Sequence, residues 1–214
     1  MGAVSLQNLS SFTLLESPTK VKNLAENAKK KGYSAIALTD INITYGLVDF
    51  YKAAKDTGIK PLLGMQLRIN GLIDEANKYD LIVIAKDDQG YKNILRLSSA
   101  VNLLTENGEK ENVLTFEDLK KYLGHLILIT PSNLHSELKM LQTNNPKMGA
   151  NYLRKLQDSL PSSSSMYLGV YADSGQQEYI NYIRSLATQF GLPLTAVEDG
   201  QYLNRNEQFL RRTL

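Results

Sequence analysis

The amino-acid sequence predicts a parallel α/β fold. Short apolar segments alternate with amphipathic helical patterns from one end of the chain to the other, as strand–helix–strand units do. Residues 79–85 are almost continuously apolar, which is typical of a strand buried on both faces of a parallel sheet. Residues 179–190 carry the clearest helical repeat, and Gly191 ends it. We therefore expect one α/β domain over residues 1–214.

The composition excludes several classes of protein. The 214 residues are 43% hydrophobic and 21% charged, enough to bury a core without staples. With 24 Lys+Arg against 22 Asp+Glu, the charge is too balanced to indicate a nucleic-acid surface. The count of Cys 0 excludes disulfides, thiolate zinc sites and a cysteine nucleophile, and agrees with a reducing compartment. Apolar runs are too short to span a membrane and no export signal begins the chain, so we expect a cytoplasmic protein without a membrane partner.

The first part of the chain contains three predicted strands and two predicted helices. Ser17 and Pro18 form an N-cap and first-turn pair, and Gly32 follows a basic run as a helix stop. In order, we predict a strand at 3–9, a helix from Pro18 to Gly32, a strand at 35–38, a helix from Gly46 to Lys55 that closes at Gly58, and a strand at 59–69 broken by Gly64.

The second part continues the alternation through four more strands. The serine run 162–165 is either a linker or a surface loop, and the strand pattern that resumes at Tyr167 favours a loop. The predicted order is strand 79–85, a helix bearing Ile94, Leu97, Val101 and Leu104, a short helix from Thr115 to Leu123, strand 126–129, helix 134–141, turn 144–146, helix 152–156, strand 167–171, helix 179–190 and strand 194–197.

About seven strand–helix units approach the number that closes a barrel, although the pattern does not distinguish a barrel from an open sheet. In both architectures ligands bind outside the carboxyl ends of the strands. The residues that should line that edge are Ser10, Ser11, Thr39, Asp40, Met65, Gln66, Thr130, Ser132, Glu198 and Asp199.

Acidic and amide side chains near this edge allow two interpretations. Their oxygens suit a hard cation, so one is a Mg²⁺ or Mn²⁺ site of low affinity. The other, which we favour, is helix capping and loop solvation, because acids after parallel strands often cap the next helix. The side chains concerned are Gln7, Asn8, Glu16, Asp40, Gln66, Glu198 and Asp199.

Other catalytic patterns are missing from the sequence. His125 and His135 have no second histidine at ligand spacing, which favours a structural or surface role over metal binding. No Gly-rich phosphate loop is present. Ser10 and Ser11 have no histidine base nearby in the pattern, so nothing specific indicates a hydrolase triad.

Several longer stretches carry family motifs. Residues 35–40 read AIALTD and lead into YGLVDFY at 45–51, and GIKPLLG follows at 58–64. LIVIAK at 81–86 precedes GYKNI at 90–94, and the segment 191–202 ends the series. Over nearly the whole chain these stretches resemble the PHP (polymerase and histidinol phosphatase) domain at the N-terminus of bacterial DNA polymerase III alpha subunits. The resemblance implies a distorted seven-stranded parallel (β/α) barrel.

The resemblance also locates the metal positions of the family, and this sequence departs from them. Active members hold several metal ions in a histidine-rich site and hydrolyse phosphoesters. Here Leu9 and Ile41 stand at histidine positions and cannot bind metal. Only Glu16 and Asp199 keep a matching acid, so we expect a vestigial site with no catalytic residue and at most one loosely held Mg²⁺ or Mn²⁺. The complete set of vestigial positions is Gln7, Leu9, Glu16, Ile41, Gln66, Asp80, Asp199 and Gln201.

By resemblance, we expect the chain to be the N-terminal PHP segment of a much longer DNA polymerase III alpha chain. A helical pattern begins near Asn204, and we expect the chain to be cut within that helix. Its expected role is a structural and partner-binding module in DNA replication, because nucleotidyl transfer in that family uses acids far beyond residue 214. The implied partners are the rest of the alpha chain, a proofreading exonuclease subunit and other replisome proteins, with DNA bound through the full-length DNA-directed DNA polymerase. The rival hypothesis is an active metal-dependent phosphoesterase or 3'–5' exonuclease using Glu16, Asp40, Asp80 and Asp199 with manganese or zinc. A third is a small-molecule-binding α/β domain.

Overall fold

The computed structural model describes residues 2–103, 116–171, 176–198 and 200. Its strands are β1 (Val4–Ser5), β2 (Ala35–Leu38), β3 (Lys60–Asn70), β4 (Lys78–Ala85), β5 (Leu126–Thr130), β6 (Ser165–Val170) and β7 (Leu194–Ala196). Its helices are α1 (Val21–Lys30), α2 (Leu47–Thr57), α3 (Asp88–Leu103), α4 (Phe116–Lys120), α5 (Glu137–Asn144), α6 (Met148–Asp158) and α7 (Gln177–Phe190). No helix in these ranges is both long and apolar enough to cross a membrane.

The seven strands form one curled sheet in the order β1 to β7, which confirms the predicted α/β class. The segments that follow β1 and β7 meet in a parallel bridge between Asn8 and Gly200. The Leu9 N–H donates to the Gly200 carbonyl and the Gly200 N–H donates to the Gln7 carbonyl, each over 3.0 Å. The sheet is therefore a half-barrel whose two ends approach at one rim, intermediate between the open sheet and closed barrel that the sequence left undecided.

The expectation of an all-parallel sheet is wrong for β4. This strand is antiparallel to both β3 and β5, whereas the other four neighbouring pairs are parallel. The connection from β3 to β4, residues 71–77, is too short for the crossover that parallel strands need. The apolar run looks the same in either direction because it is buried on both faces. One consequence is that the first residues of β4 lie at the rim where the other strands end.

Gly64 does not break β3, as the sequence had suggested, but marks a change of partner within it. Residues 60–63 pair with β2 and residues 64–70 pair with β4. A Cβ at Gly64 would lie 2.7 Å from the carbonyl oxygen of Val83 and 3.0 Å from the methyl carbon of Thr39. Glycine is therefore required here by the close approach of three strands, and the strand continues through it.

Two apolar layers hold the sheet. Most of the core lies between the sheet and the helices, and it contains Phe50 at 0% exposure. A smaller cluster fills the concave side of the half-barrel and consists of Ala37, Ile82, Ile84, Ile129 and Val197. Side chains alternate between the two layers along each strand, as the pleat requires. The second layer forms the floor beneath the polar rim.

Three of the boundaries that differ from the prediction do so because local polar contacts take over. Strand β1 is shorter than 3–9, since the side chains of Thr39 and Asn8 replace further ladder bonds. Helix α1 begins at Val21, because the Ser17 hydroxyl bonds the Leu9 carbonyl and the Thr19 N–H instead of capping. Helix α5 begins at Glu137, because the His135 carbonyl accepts the N–H of Asp80.

The remaining predictions for the described residues agree closely with the structure. Strand 35–38 is matched in full, and α2 closes at Gly58 in the left-handed conformation. Residues 162–164 of the serine run are a loop of the domain, since the Ser163 and Ser164 hydroxyls accept the N–H groups of His125 and Leu126, whereas Ser165 already begins β6. The predicted roles of Leu104, Thr115 and the helix near Asn204 concern residues outside the described ranges.

The packing at Gly64 gives a stability prediction. We expect Gly64→Ala to lower the free energy of unfolding by about 1–3 kcal/mol, because the added methyl group must displace neighbouring backbone. Chemical denaturation of the purified chain measures this change. Gly124→Ala is the matched control, since its Cβ would have no neighbour closer than 3.6 Å. Equal stability of both variants would show that the crossing of strands at Gly64 has room to relax.

Candidate functional site

A polar layer lies above the apolar floor, at the rim where most strands end. Gln66 and Arg68 point from β3 to the same side of the sheet, because they are two residues apart. Arg68 is directly opposite Asp80 of β4 in the antiparallel register. Since β4 runs against the other strands, its first residues bring this carboxylate to the rim. The strand direction thus assembles a site that a parallel sheet would not form from these residues.

The amide side chains of this layer form a buried relay. Gln7 Nε2 donates to Gln66 Oε1 over 2.9 Å, and Gln66 Nε2 donates to Asp80 Oδ2 over 2.8 Å. All three side chains belong to residues that are at most 2% exposed. The relay links the segment after β1 to β3 and β4. It also turns the amide nitrogen of Gln66, a donor and not a ligand, toward the carboxylate.

Arg68 completes the layer with a paired guanidinium group. Its Nε donates to Asp80 Oδ1 over 2.8 Å and its Nη2 donates to Asp80 Oδ2 over 3.0 Å. Its Nη1 lies 3.9 Å from Glu16 Oε1. The Asp80 side chain is 0% exposed, and those of Arg68 and Glu16 are 25% and 34% exposed. Two parallel N–H bonds to one carboxylate are the strongest arrangement that arginine offers.

Asn42 fixes the backbone of Arg68. Its side-chain Oδ1 accepts the Arg68 N–H over 2.9 Å, and its own N–H donates to the Gln66 carbonyl. Asn42 adopts a left-handed φ of 59°, a conformation that asparagine tolerates better than most residues. Sequence analysis missed both Arg68 and Asn42. No motif marks them, although an arginine two residues after a family metal position was a visible signal.

Asp40, predicted at this edge, lies in a neighbouring cluster. Its Oδ1 accepts the Ser10 N–H over 2.6 Å and the Thr13 hydroxyl over 2.8 Å, and its Oδ2 accepts the Ser10 hydroxyl over 2.7 Å. Burial raises the pKa of Asp40, and these hydrogen bonds act in the opposite direction. Its role is to order the loop after β1, so it caps a loop and not the following helix.

The other predicted positions contribute backbone or packing, or lie elsewhere. Leu9 is buried at 1% exposure, and the backbone of Ile41 bridges to Gln66. Glu198 is exposed, while Asp199 and Gln201 lie outside the described residues. Both histidines are away from the polar layer, as the structural interpretation of them requires.

The contacts of His125 and His135 are local. His125 Nδ1 lies 2.8 Å from Asp87 Oδ2 near the opposite end of the barrel. The His135 side chain is exposed, and only its backbone approaches the site, through the bond from the Asp80 N–H. Neither ring faces a second potential ligand within the polar layer.

The donor set does not fit a cluster of metal ions. Among the described residues no group of three or more His, Cys, Asp or Glu side chains could hold a metal. Asp80, the only buried acid of the polar layer, already bonds a guanidinium and an amide nitrogen. A hydrolytic centre needs open positions for water on the metal, and this arrangement supplies none.

A second concave feature opens at the other end of the half-barrel. This cavity of about 580 Å³ has an apolar wall that includes Leu62, Ile84 and Tyr167. Two of the charged groups that line it are engaged locally, since Lys86 Nζ donates to the Ser163 carbonyl and Asp87 pairs with His125. Its lining is suited to apolar packing and does not present a catalytic constellation.

Fold and site define the class of protein. Residues 5–171 match the model of the PHP domain family, and the chain belongs to that family. It is homologous to the N-terminal region of DNA polymerase III alpha subunits. It is 32% identical to the alpha subunit of Halalkalibacterium halodurans over 97% of this chain, and 30% identical to that of Bacillus subtilis over 100%. The chain spans only 18% and 19% of these two relatives.

Solved structures confirm the fold. An amidohydrolase from Chromobacterium violaceum, with bound sulfate and no metal, superposes with a TM-score of 0.65 at 12% identity over 92% of this chain and 87% of its own. A candidate metal-dependent phosphoesterase from Bifidobacterium adolescentis gives a TM-score of 0.56, also at 12% identity, over 93% and 87%. At this level of identity the likeness concerns the architecture and not the chemistry.

The Asp40 cluster yields a pH-dependent prediction. We expect Asp40→Asn to lower the free energy of unfolding by about 1–3 kcal/mol, because an amide cannot accept all three hydrogen bonds. The raised pKa of Asp40 means that the folded state binds its proton more tightly than the unfolded state. The contribution of Asp40 to stability is therefore largest below pH 3.8, the pKa of the carboxyl in the unfolded chain. It falls as pH rises through the pKa of the folded state.

Urea denaturation of wild type and variant between pH 3 and pH 7 measures this difference. The gap in stability should narrow with rising pH over that window. Asp56→Asn, at an exposed position of α2, is the matched control and should give a constant small difference. A gap that widens with pH would show that hydrogen bonding, and not burial, dominates at Asp40.

Proposed function

We propose that this chain is a structural and partner-binding module of a bacterial replicative DNA polymerase, acting in the cytoplasm as the PHP domain of an alpha subunit. It joins the remainder of the alpha chain, and through it serves a proofreading exonuclease subunit, other replisome proteins and DNA. It carries no phosphoesterase activity of its own. The full-length subunit performs DNA-directed DNA synthesis.

One observation carries this proposal: three of the side chains at the family metal positions bond to each other. Gln7, Gln66 and Asp80 form a closed relay that ends on Arg68. A satisfied buried network stiffens the rim without offering ligands to a metal. The family fold is present, and the side chains that would have to bind a metal for hydrolysis are instead hydrogen-bonded to one another.

A second observation supports a contact with another polypeptide segment. Leu14, Leu15 and Tyr45 are 80%, 72% and 68% exposed on the loops after β1 and β2. Leu15 also adopts a left-handed φ of 63°, which costs a non-glycine residue about 1–2 kcal/mol. Neither solvation nor local stability favours leucine at such a position, and an exposed apolar side chain there suits a contact with another polypeptide segment. Because the relatives are about five times longer, the adjoining polymerase region is the partner we propose.

The absence of hydrolytic activity is directly testable. We expect the purified chain, dialysed against trace zinc and manganese, to retain less than about a tenth of a metal ion per chain by mass spectrometry. It should hydrolyse neither p-nitrophenyl phosphate nor single-stranded DNA. Stoichiometric metal together with turnover that Asp199→Ala abolishes would instead establish the phosphoesterase hypothesis.

The contact surface is testable in a complete alpha subunit that carries this chain as its PHP domain. We expect Leu15→Gly to raise the stability of the isolated chain by about 0.5 kcal/mol, because glycine relieves the left-handed strain. The same change should slow primer extension by the complete subunit several-fold, since an apolar contact is lost. Primer-extension rates and thermal unfolding of the isolated chain provide the two readouts.

Leu95→Ser, on the outer face of α3, is the control because Leu95 is also partly exposed, at 37%. It should leave primer extension unchanged. If Leu15→Gly stabilises the chain and polymerase activity is unaffected, the exposed leucines do not contribute to the interface and the partner assignment is wrong.

A further inference from the structure

We infer that the Arg68 guanidinium supplies, in place of a divalent cation, the positive charge that the rim of this half-barrel requires. Arg68 is in this sense a built-in cation that links β3, β4 and the segment after β1 without any metal. The inference concerns this chain's own residues and does not depend on the replicative role proposed above.

The requirement for a positive charge comes from Asp80. Its side chain is 0% exposed, and it sits on the side of the sheet that is otherwise lined by Ile82, Ile84 and Ile129. An ionised carboxylate in such surroundings is strongly destabilising unless a cation is paired with it. Within the described residues, Arg68 is the basic side chain that forms an ion pair with Asp80.

The position of the guanidinium is that of a bridging ion. It makes two bonds of 2.8 and 3.0 Å to Asp80 on one side and faces Glu16 at 3.9 Å on the other. Glu16 is one of the acids that the family resemblance assigns to metal binding, and Asp80 occupies a further ligand position. Both carboxylates therefore share one cation, as they would around a metal, but that cation is covalently part of the chain.

The surroundings hold this cation in one place. Asn42 binds the Arg68 N–H, and the Asn42 carbonyl in turn accepts the Ser98 hydroxyl over 3.3 Å and Asn102 Nδ2 over 3.1 Å. Helix α3 thereby fixes the strand residue that bears the guanidinium. Gln66 directs its N–H₂ group at Asp80 and adds a hydrogen bond to the carboxylate that Arg68 pairs.

A guanidinium and a divalent metal ion differ in charge, +1 against +2, and in chemistry even where they pair with the same carboxylates. Arginine stays protonated at all physiological pH values and has no open coordination position. It cannot coordinate a water molecule as a Lewis acid, and so it cannot lower the pKa of that water as a hydrolytic metal does. The substitution thus retains the electrostatic link between strands and removes the means of hydrolysis.

The experiment compares Arg68→Ala, Arg68→Lys and wild type by thermal unfolding, each with 1 mM EDTA and with 1 mM MnCl₂. We expect Arg68→Ala to lose about 10 °C in Tm in EDTA, because Asp80 is left as an unpaired buried charge. Mn²⁺ should then restore about 3 °C to this variant and change wild type by less than about 1 °C. Arg68→Lys keeps the positive charge but lacks the paired N–H donors of the guanidinium. Its Tm should therefore lie between those of wild type and Arg68→Ala and should not change with Mn²⁺.

Arg154→Ala is the matched control, because Arg154 is an exposed arginine of α6 whose Nη1 donates to Asn151 Oδ1 of the same helix over 3.4 Å. Its Tm should match wild type in both buffers. Should Arg68→Ala fail to fold, the Arg68→Ala/Asp80→Asn double variant removes both charges and should recover a cooperative transition that Mn²⁺ does not shift. The inference is overturned if Arg68→Ala melts like wild type, if Mn²⁺ stabilises wild type as much as Arg68→Ala, or if Arg68→Ala is destabilised but indifferent to Mn²⁺.

Discussion

The carboxylate of Asp80, buried at the rim of a half-barrel, is the constraint on which the site depends. A charge in this position must be paired, and the pairing fixes the neighbouring side chains. Arg68 lies opposite on the antiparallel partner strand, Gln66 Nε2 donates to Asp80 Oδ2, and Gln7 extends the hydrogen bonding to the segment after β1. Three stretches of chain that are distant in sequence are thereby held at one edge of the sheet.

The fold survives the change in these residues because the core does not depend on them. Most of the buried apolar side chains lie between the sheet and its helices, and a separate small cluster fills the concave side. The rim residues rest on that cluster without forming part of it. A family architecture that elsewhere accommodates metal chemistry can therefore keep its strands and helices while the polar layer is rebuilt from amides and one ion pair.

The loop after β1 contains residues with two different kinds of role. Asp40 orders one loop through three hydrogen bonds, which is a requirement of folding. Leu14 and Leu15 are exposed on the same loop, and Leu15 is held in a conformation that disfavours leucine. Folding alone explains the hydrogen bonds of Asp40, but it disfavours an exposed leucine in the left-handed conformation. This contrast supports the proposed contact of Leu14 and Leu15 with another polypeptide segment.

Local patterns determined much of this protein in advance. The apolar alternation predicted seven strands with helices between them, and residues 35–38, Gly58 and Gly191 have the roles that the sequence indicates. The motifs of residues 35–51 and 81–94 also identified the family, because they depend on runs of neighbouring residues. The sequence also showed that Leu9 and Ile41 cannot be metal ligands, since neither side chain can bind a metal.

Tertiary structure alone decided how the rim is built. A strand buried on both faces reads the same in either direction, so the sequence did not show that β4 runs antiparallel or that Asp80 meets Arg68. Strand register depends on pairing between distant segments and on the short connection between β3 and β4, which residue periodicity does not encode. The sequence therefore showed which family ligand positions hold other residue types, whereas the fold determined that the buried Asp80 pairs with Arg68.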